Sequence, residues 1–224
     1  MKLDASASPA QPSPAPAATI DTADCTTTRR RRVRDLVLAA AKARAQQALT
    51  LSATSDGDSA TPLFAPYSPS PTSVINAVWE YLDARTASTP IAPEELLVDL
   101  GCGDARWLIS GVQRYRCQAL GIEIDSALVE KAQQAVETLA LEDSIRIIED
   151  DIMRVDISSA KVVIVYAFAE SLHGIRAHLE TQLSAHASVL SIGFRVPEWK
   201  PKWSDRVDGL RWYFYELHDC RLLT

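Results

Sequence analysis

The stretch Leu96-Leu97-Val98-Asp99-Leu100-Gly101-Cys102-Gly103-Asp104-Ala105-Arg106-Trp107 runs an apolar segment of strand length straight into a Gly-x-Gly turn, with one acid just before the turn and another just after it. A strand that ends this way delivers backbone N–H groups to the carboxyl edge of a parallel sheet, where open α/β folds bind their ligands, and glycine lets the backbone approach such a ligand closely. A second apolar run, Ala119-Leu120-Gly121-Ile122, delivers Glu123-Ile124-Asp125. Glu123 stands 24 residues beyond Asp99, near the roughly 20-residue offset of a ribose-binding carboxylate. Two strand-end acids around one glycine turn predict a nucleotide-cofactor site.

The dinucleotide fingerprint requires a further glycine where this chain has Ala105 or Arg106. In a dinucleotide fold the helix N-terminus faces a pyrophosphate. Here Asp99 and Asp104 flank the turn, which suits a ligand carrying a cation or an amine. S-adenosylmethionine carries both, a sulfonium and an α-amino group. The Asp-x-Gly-x-Gly pattern with its downstream strand-end acid resembles the seven-strand, class I S-adenosylmethionine-dependent methyltransferases, over roughly Pro66 to Leu217. The resemblance implies an α/β, Rossmann-like, doubly wound and mostly parallel seven-stranded sheet with an antiparallel edge strand. It places Asp99, Gly101, Gly103 and Glu123 on the cofactor, with Asp151 receiving the adenine amino group and Ile152 beside it.

The alternation along the chain agrees with that architecture. Strands are predicted at 96–100, 118–123, 144–148, 161–167 and 187–194, and helices at 72–84, 104–115, 126–140 and 170–183. Interleaved strands and helices mean a parallel sheet with right-handed crossovers. The aromatic run Leu210 to Leu217 alternates and reads as an antiparallel edge strand. The first helix is expected to bury Val74, Ala77, Val78, Tyr81 and Leu82. The helix after Asp125 is expected to take Ser126 as N-cap and to bury Val129, Ala132, Val136 and Leu139.

Upstream, residues 1 to about 27 are poor in large apolar side chains and are read as disordered. Arg29-Arg30-Arg31-Arg32-Val33-Arg34 opens a segment of good helix formers, so residues 1–61 are expected to form a tail with a basic helix over about 29–51 and a linker, and residues 62–224 the catalytic domain. The basic segment reads as a mitochondrial presequence, a nuclear signal or a partner-binding arm, and Asp4, Asp21 and Asp24 count against the first. No apolar run approaches the ~20 residues of a membrane span. The net charge of −6 divides into +2 for residues 1–62 and −8 for the rest, which disfavours a nucleic-acid groove and suits a positively charged substrate. The four cysteines show no metal or disulfide spacing, and the histidines offer no helix-borne zinc pair, so no metal is expected.

The run Val162-Val163-Ile164-Val165 delivers Tyr166, then Ala167, Phe168 and Glu170, to the strand end that holds the methyl acceptor in enzymes of this fold. The Asn-Pro-Pro-Tyr pattern of amide- and base-methylating enzymes is absent. A lysine acceptor must lose a proton from an amine of reference pKa near 10.4, and burial favours the neutral form. Aromatic walls at Tyr166 and Phe168 would desolvate it, and Glu170 could orient it or pass its proton to water. Ala65-Pro66-Tyr67-Ser68-Pro69 before the domain, Glu170 four residues beyond Tyr166, and Pro197-Glu198-Trp199-Lys200-Pro201 resemble the mitochondrial lysine methyltransferases acting on the ATP synthase c-subunit and the adenine nucleotide translocase. That resemblance implies a cofactor lid near Tyr67 and a protein-lysine acceptor, in some cases on a small membrane protein. Relatives of that kind carry glycine where this chain has Ala105. A small-molecule or RNA methyltransferase on the same fold, and a non-catalytic cofactor-binding scaffold, are the alternative readings.

Overall fold

The computed structural model describes residues 67–85 and 90–221. The expected tail, basic helix and linker lie outside the described residues. Five helices and seven strands follow one another in the described part: α1 (Thr72–Arg85), β1 (Leu96–Leu100), α2 (Arg106–Tyr115), β2 (Gln118–Glu123), α3 (Ser126–Thr138), β3 (Ile145–Glu149), β4 (Ala160–Val165), α4 (Ala169–Gln182), β5 (Ser188–Ile192), β6 (Trp203–Val207), β7 (Leu210–Glu216) and α5 (Leu217–Arg221).

The strands form one sheet in the order β3-β2-β1-β4-β5-β7-β6. β1 to β5 pair in parallel, while β7 and β6 run antiparallel. From β1 the chain winds outward to β3 and then crosses back to β4, so the winding reverses between β1 and β4. Ligands of open α/β sheets bind at that crevice, outside the carboxyl ends of the strands.

Alternation divides the sheet's side chains between two layers. Leu97, Ala119, Ile164, Ile192 and Trp212 face α1, α2 and α3, whereas Val98, Ile122, Val165, Val189 and Tyr215 face α4 and α5. In the first layer Trp79 is fully buried, edge-on to Trp107 at 5.4 Å and to Tyr115 at 5.6 Å. Its indole N–H donates to Ser110 Oγ at 2.9 Å, so the largest side chain of α1 enters the core with its polar atom satisfied.

Three expectations are corrected. α1 buries Ile75 and Trp79 beside Val74, Val78 and Leu82, leaving Ala77 and Tyr81 half-buried, because Tyr81 packs outward against Trp203, Trp212 and Phe214. The N-cap of α3 is Asp125, which accepts from the Ala127 and Leu128 amides, while Ser126 donates to Glu149 at 2.6 Å, and Leu139 lies beyond the helix and is exposed. β7 is not the edge, for β6 pairs outside it. β6 was unread because exposure along its length leaves it no apolar period. Its signal was Asp208-Gly209, whose φ angles of 49° and 78° form the two-residue turn with both centres left-handed that joins hairpin strands.

Candidate functional site

The turn after β1 hangs from the end of β2, since the Gly101 and Cys102 amides both donate to the Ile122 carbonyl, at 2.8 and 3.0 Å. Positive φ recurs at alternate residues, Gly101 (81°), Gly103 (55°) and Ala105 (59°). The third is the site where the resembling family carries glycine. Ala105 takes up the left-handed conformation, and its fully buried methyl lies in the core cluster of α1 and α2, so it does not crowd the mouth of the turn.

Glu123 is buried at the end of β2 and ties three backbone amides together. Its Oε2 accepts from Gly103 at 2.9 Å, and its Oε1 accepts from Ile124 at 2.9 Å and Asp125 at 3.1 Å. A carboxylate offers about four acceptor positions. One therefore remains, on Oε2, enough for a single ligand hydroxyl rather than a pair. Asp99 is buried beneath the turn, and burial, reinforced by the charges of Glu123 and Asp104, pushes its carboxyl well above the usual range. An opposite charge placed beside it would favour its ionised form. The Cys102 thiol is also raised by burial and is no nucleophile.

Tyr67 lies over the turn. A Cβ on Gly103 would stand 2.6 Å from the Tyr67 ring, so only glycine admits this approach without displacing it. The Tyr67 hydroxyl donates to Asp104, and Lys131 Nζ lies 5.1 Å from the ring centroid. Arg106 grips Asp104 through Nε and Nη2 at 2.8 and 2.6 Å and donates from Nη1 to the Ser70 carbonyl at 2.8 Å. The Trp107 indole donates to Ser70 Oγ at 3.0 Å. Arg106 above all brings the Asp104 carboxyl down to about 2, while burial raises the Tyr67 hydroxyl. Sequence reasoning found Tyr67 and Asp104 but not the residues that clamp them, because Ser70, Arg106 and Lys131 belong to no shared motif.

Beyond β3, Asp151 Oδ1 accepts from the Met153 amide at 2.9 Å and Ile152 is buried. The His178 ring, from α4, hydrogen-bonds the Ile152 main chain, and burial lowers its pKa. Beyond β4, Tyr166 is half-buried, and its ring lies 2.8 Å from where a Cβ on Gly193 would stand. Phe168 meets Phe194 edge to face at 6.2 Å. Glu170 is exposed in the first turn of α4. Gly193 and Phe194 escaped the sequence reading, since they follow β5 without a chemical signature. At the opposite edge Glu216, His218 and Asp219 lie at metal-like spacing, but Lys202 Nζ already bridges the two acids at 3.0 and 2.8 Å.

Residues 99–203 match the family model of the ANTKMT methyltransferase domain. A protein-lysine N-methyltransferase of Saccharolobus islandicus (strain REY15A) is 27% identical over 138 residues, 61% of this chain and 81% of that protein. An ATP synthase c-subunit lysine N-methyltransferase of Xenopus laevis is 26% identical over 139 residues, 62% of this chain and 58% of that one. Among solved structures, an RNA methyltransferase from Salinibacter ruber in complex with S-adenosyl-L-homocysteine is 29% identical with a TM-score of 0.61, covering 67% of this chain and 94% of its own. Sheet order, turn chemistry and relatives agree: the chain has the seven-strand methyltransferase fold and is an S-adenosylmethionine-dependent methyltransferase.

Proposed function

We propose that the enzyme methylates the ε-amino group of a lysine in a protein. The observation that carries this reading is the aromatic group of Tyr166, Phe168 and Phe194 beyond the carboxyl ends of β4 and β5, next to the cofactor turn in an acidic domain. The names of the Saccharolobus and Xenopus relatives support it. The donor set fits S-adenosylmethionine: a buried acid for a cation, one open acceptor position on Glu123 for a hydroxyl, and a glycine turn that a ligand can approach. Asp99, Gly101, Gly103, Glu123, Asp151 and Ile152 hold it, and Tyr67 covers it. When bound, it supplies a methyl group on a positively charged sulfur. Tyr166 and its aromatic neighbours exclude water from the acceptor amine, which favours the neutral nucleophile. Their faces then hold the methylated cation, an attraction worth roughly 0.5–2 kcal/mol. Glu170, at the first turn of α4, orients the amine and relays its proton to water. Positioning and desolvation thus account for most of the catalysis.

We further infer a small membrane protein as target and a mitochondrial location, from the Xenopus relative's substrate and the arginine-led segment at 29–34. No helix among the described residues is long and apolar enough to cross a membrane. A fluorescent fusion of residues 1–61 that stays out of mitochondria overturns the location. The activity is tested with methyl-labelled S-adenosylmethionine and a membrane-containing extract of the source cells, with Tyr166→Ala as control and products read by mass spectrometry. Label on lysine that the control lacks establishes the reading. Label on RNA instead establishes the second reading, which the Salinibacter likeness favours and the acidic domain opposes. Cofactor binding without label in any product leaves a scaffold.

A further inference from the structure

The β6–β7 hairpin sets Arg206 directly opposite Arg211. Like charges so placed repel and destabilise a hairpin. Opposed residues of an antiparallel pair share a face, and alternation puts both arginines on the face of Tyr213 and Tyr215, toward α4. Among the described residues neither guanidinium makes an ion pair or a hydrogen bond, although Arg211 is half-buried. The nearby acids are engaged elsewhere. Asp205 lies on the other face and accepts from the Arg206 amide, and Asp208 accepts from Ser73.

The pair also has a particular position. The Gly193 amide donates to the Arg211 carbonyl at 2.7 Å, and Gly193 is the residue on which the Tyr166 ring lies. Arg211 therefore stands at the acceptor end of the sheet, on the face of Phe194 and opposite that of Tyr166, in a domain whose surplus charge is negative. We propose that Arg206 and Arg211 together bind an acidic side chain of the substrate polypeptide, close in sequence to the lysine that is methylated. The proposal rests on the protein-lysine reading. Two guanidinium forks a strand apart match the bidentate geometry of a carboxylate. The sheet order places Arg211 two strands and Arg206 three strands from β4, which is about 10 and 14 Å at the usual spacing. An extended substrate rises ~3.3 Å per residue, so the acid falls about three or four residues from the lysine.

The test uses the full chain with S-adenosylhomocysteine and short fluorescent peptides carrying one central lysine. A glutamate is moved through the peptide one position at a time, each peptide having a glutamine twin, and binding is read by anisotropy. The expected result is about tenfold tighter binding of the glutamate peptide at the third or fourth position. The doubly charge-reversed variant R206E/R211E should invert that preference toward a lysine at the same position, a gain that a misfolded protein cannot show. Equal binding of the twins at every position overturns the proposal. So does a pair whose reversal abolishes only binding to phosphatidylglycerol vesicles, which would assign the arginines to a membrane surface. Methyl transfer is measured on the same peptides with S-adenosylmethionine. A glutamate preference in binding with no transfer upholds the arginine pair and rejects lysine as the acceptor.

Discussion

Asp99 is a buried acid that is costly to the fold and, in the proposed function, holds the cofactor. Its folded pKa is raised, chiefly by burial, so its contribution to stability is fully present below the unfolded value near 3.9 and is lost as pH rises through the folded value. Asp99→Asn should therefore raise the melting temperature of the free protein at neutral pH and change it little near pH 4. The same variant should bind S-adenosylmethionine more weakly, and the affinity should lose the rise with pH that ionisation of Asp99 gives the native protein. An unchanged pH profile of affinity in calorimetric titration would remove Asp99 from the cofactor. Ala105 makes the opposite case. Its left-handed φ costs an L-residue roughly 1–2 kcal/mol, but a glycine there would add about 0.5–1 kcal/mol of chain entropy and forgo roughly 0.8 kcal/mol of methyl burial. Ala105→Gly should accordingly shift stability by less than about 1 kcal/mol in urea unfolding. A larger gain would mean that the methyl does crowd the turn. The motif made Asp99 and Gly103 legible in the sequence, whereas burial decides what Asp99 does, and burial follows from the whole layer above it.

At the scale of elements, the segment before α1 is clasped to the start of α2 by charge and by shape. Asp104, lowered to about 2, gives stability that is present above the unfolded value near 3.9 and lost as pH falls through 2. Tyr67, raised above 10 chiefly by burial, gives stability that is present below 10 and lost as pH rises through its folded value. The clasp should therefore hold unchanged between about pH 4 and 10. Hydrogen exchange of the Tyr67, Ser68 and Ser70 amides, corrected for intrinsic rates, should be flat across that window and rise about tenfold or more in Arg106→Gln, which loses the fork on Asp104 and the bond to Ser70. Equal protection in the variant would leave the ring on Gly103 as the whole of the lid. The family resemblance implies a lid near Tyr67 but says nothing of what anchors the segment there. The Trp107–Ser70 and Arg106–Ser70 bonds join residues more than thirty positions apart, and no local pattern encodes such pairs. β6 illustrates the other limit, for a strand exposed along its length has no periodicity to read, and only its Asp-Gly turn betrays it.

For the whole molecule, the parallel half of the sheet is readable because its central strands are mostly apolar and end in chemically distinct turns. Where the strands run antiparallel, partners across the hairpin decide which face is buried. Both halves meet in one cooperative question, how far the cofactor stabilises the fold. The glycine turn, β2 and α3 are tied through Glu123 to three amides, so a ligand on that turn should brace the parallel half as a unit. Ligand at a hundredfold excess over its dissociation constant adds about 2.7 kcal/mol. For a domain of this size, that corresponds to a rise of roughly 5–11 °C in melting temperature. S-adenosylhomocysteine should give such a shift in the native protein. In Glu123→Gln an amide must turn its NH₂ toward at least one backbone donor, which leaves that N–H unsatisfied at a cost of about 1–3 kcal/mol. The variant should melt several degrees lower without ligand. At the same ligand concentration its shift should be roughly halved, since a tenfold weaker affinity removes about 1.4 kcal/mol. A lower starting temperature with the full ligand shift would make Glu123 a brace of the turn alone, and the ribose contact would then have to come from another residue at the carboxyl edge.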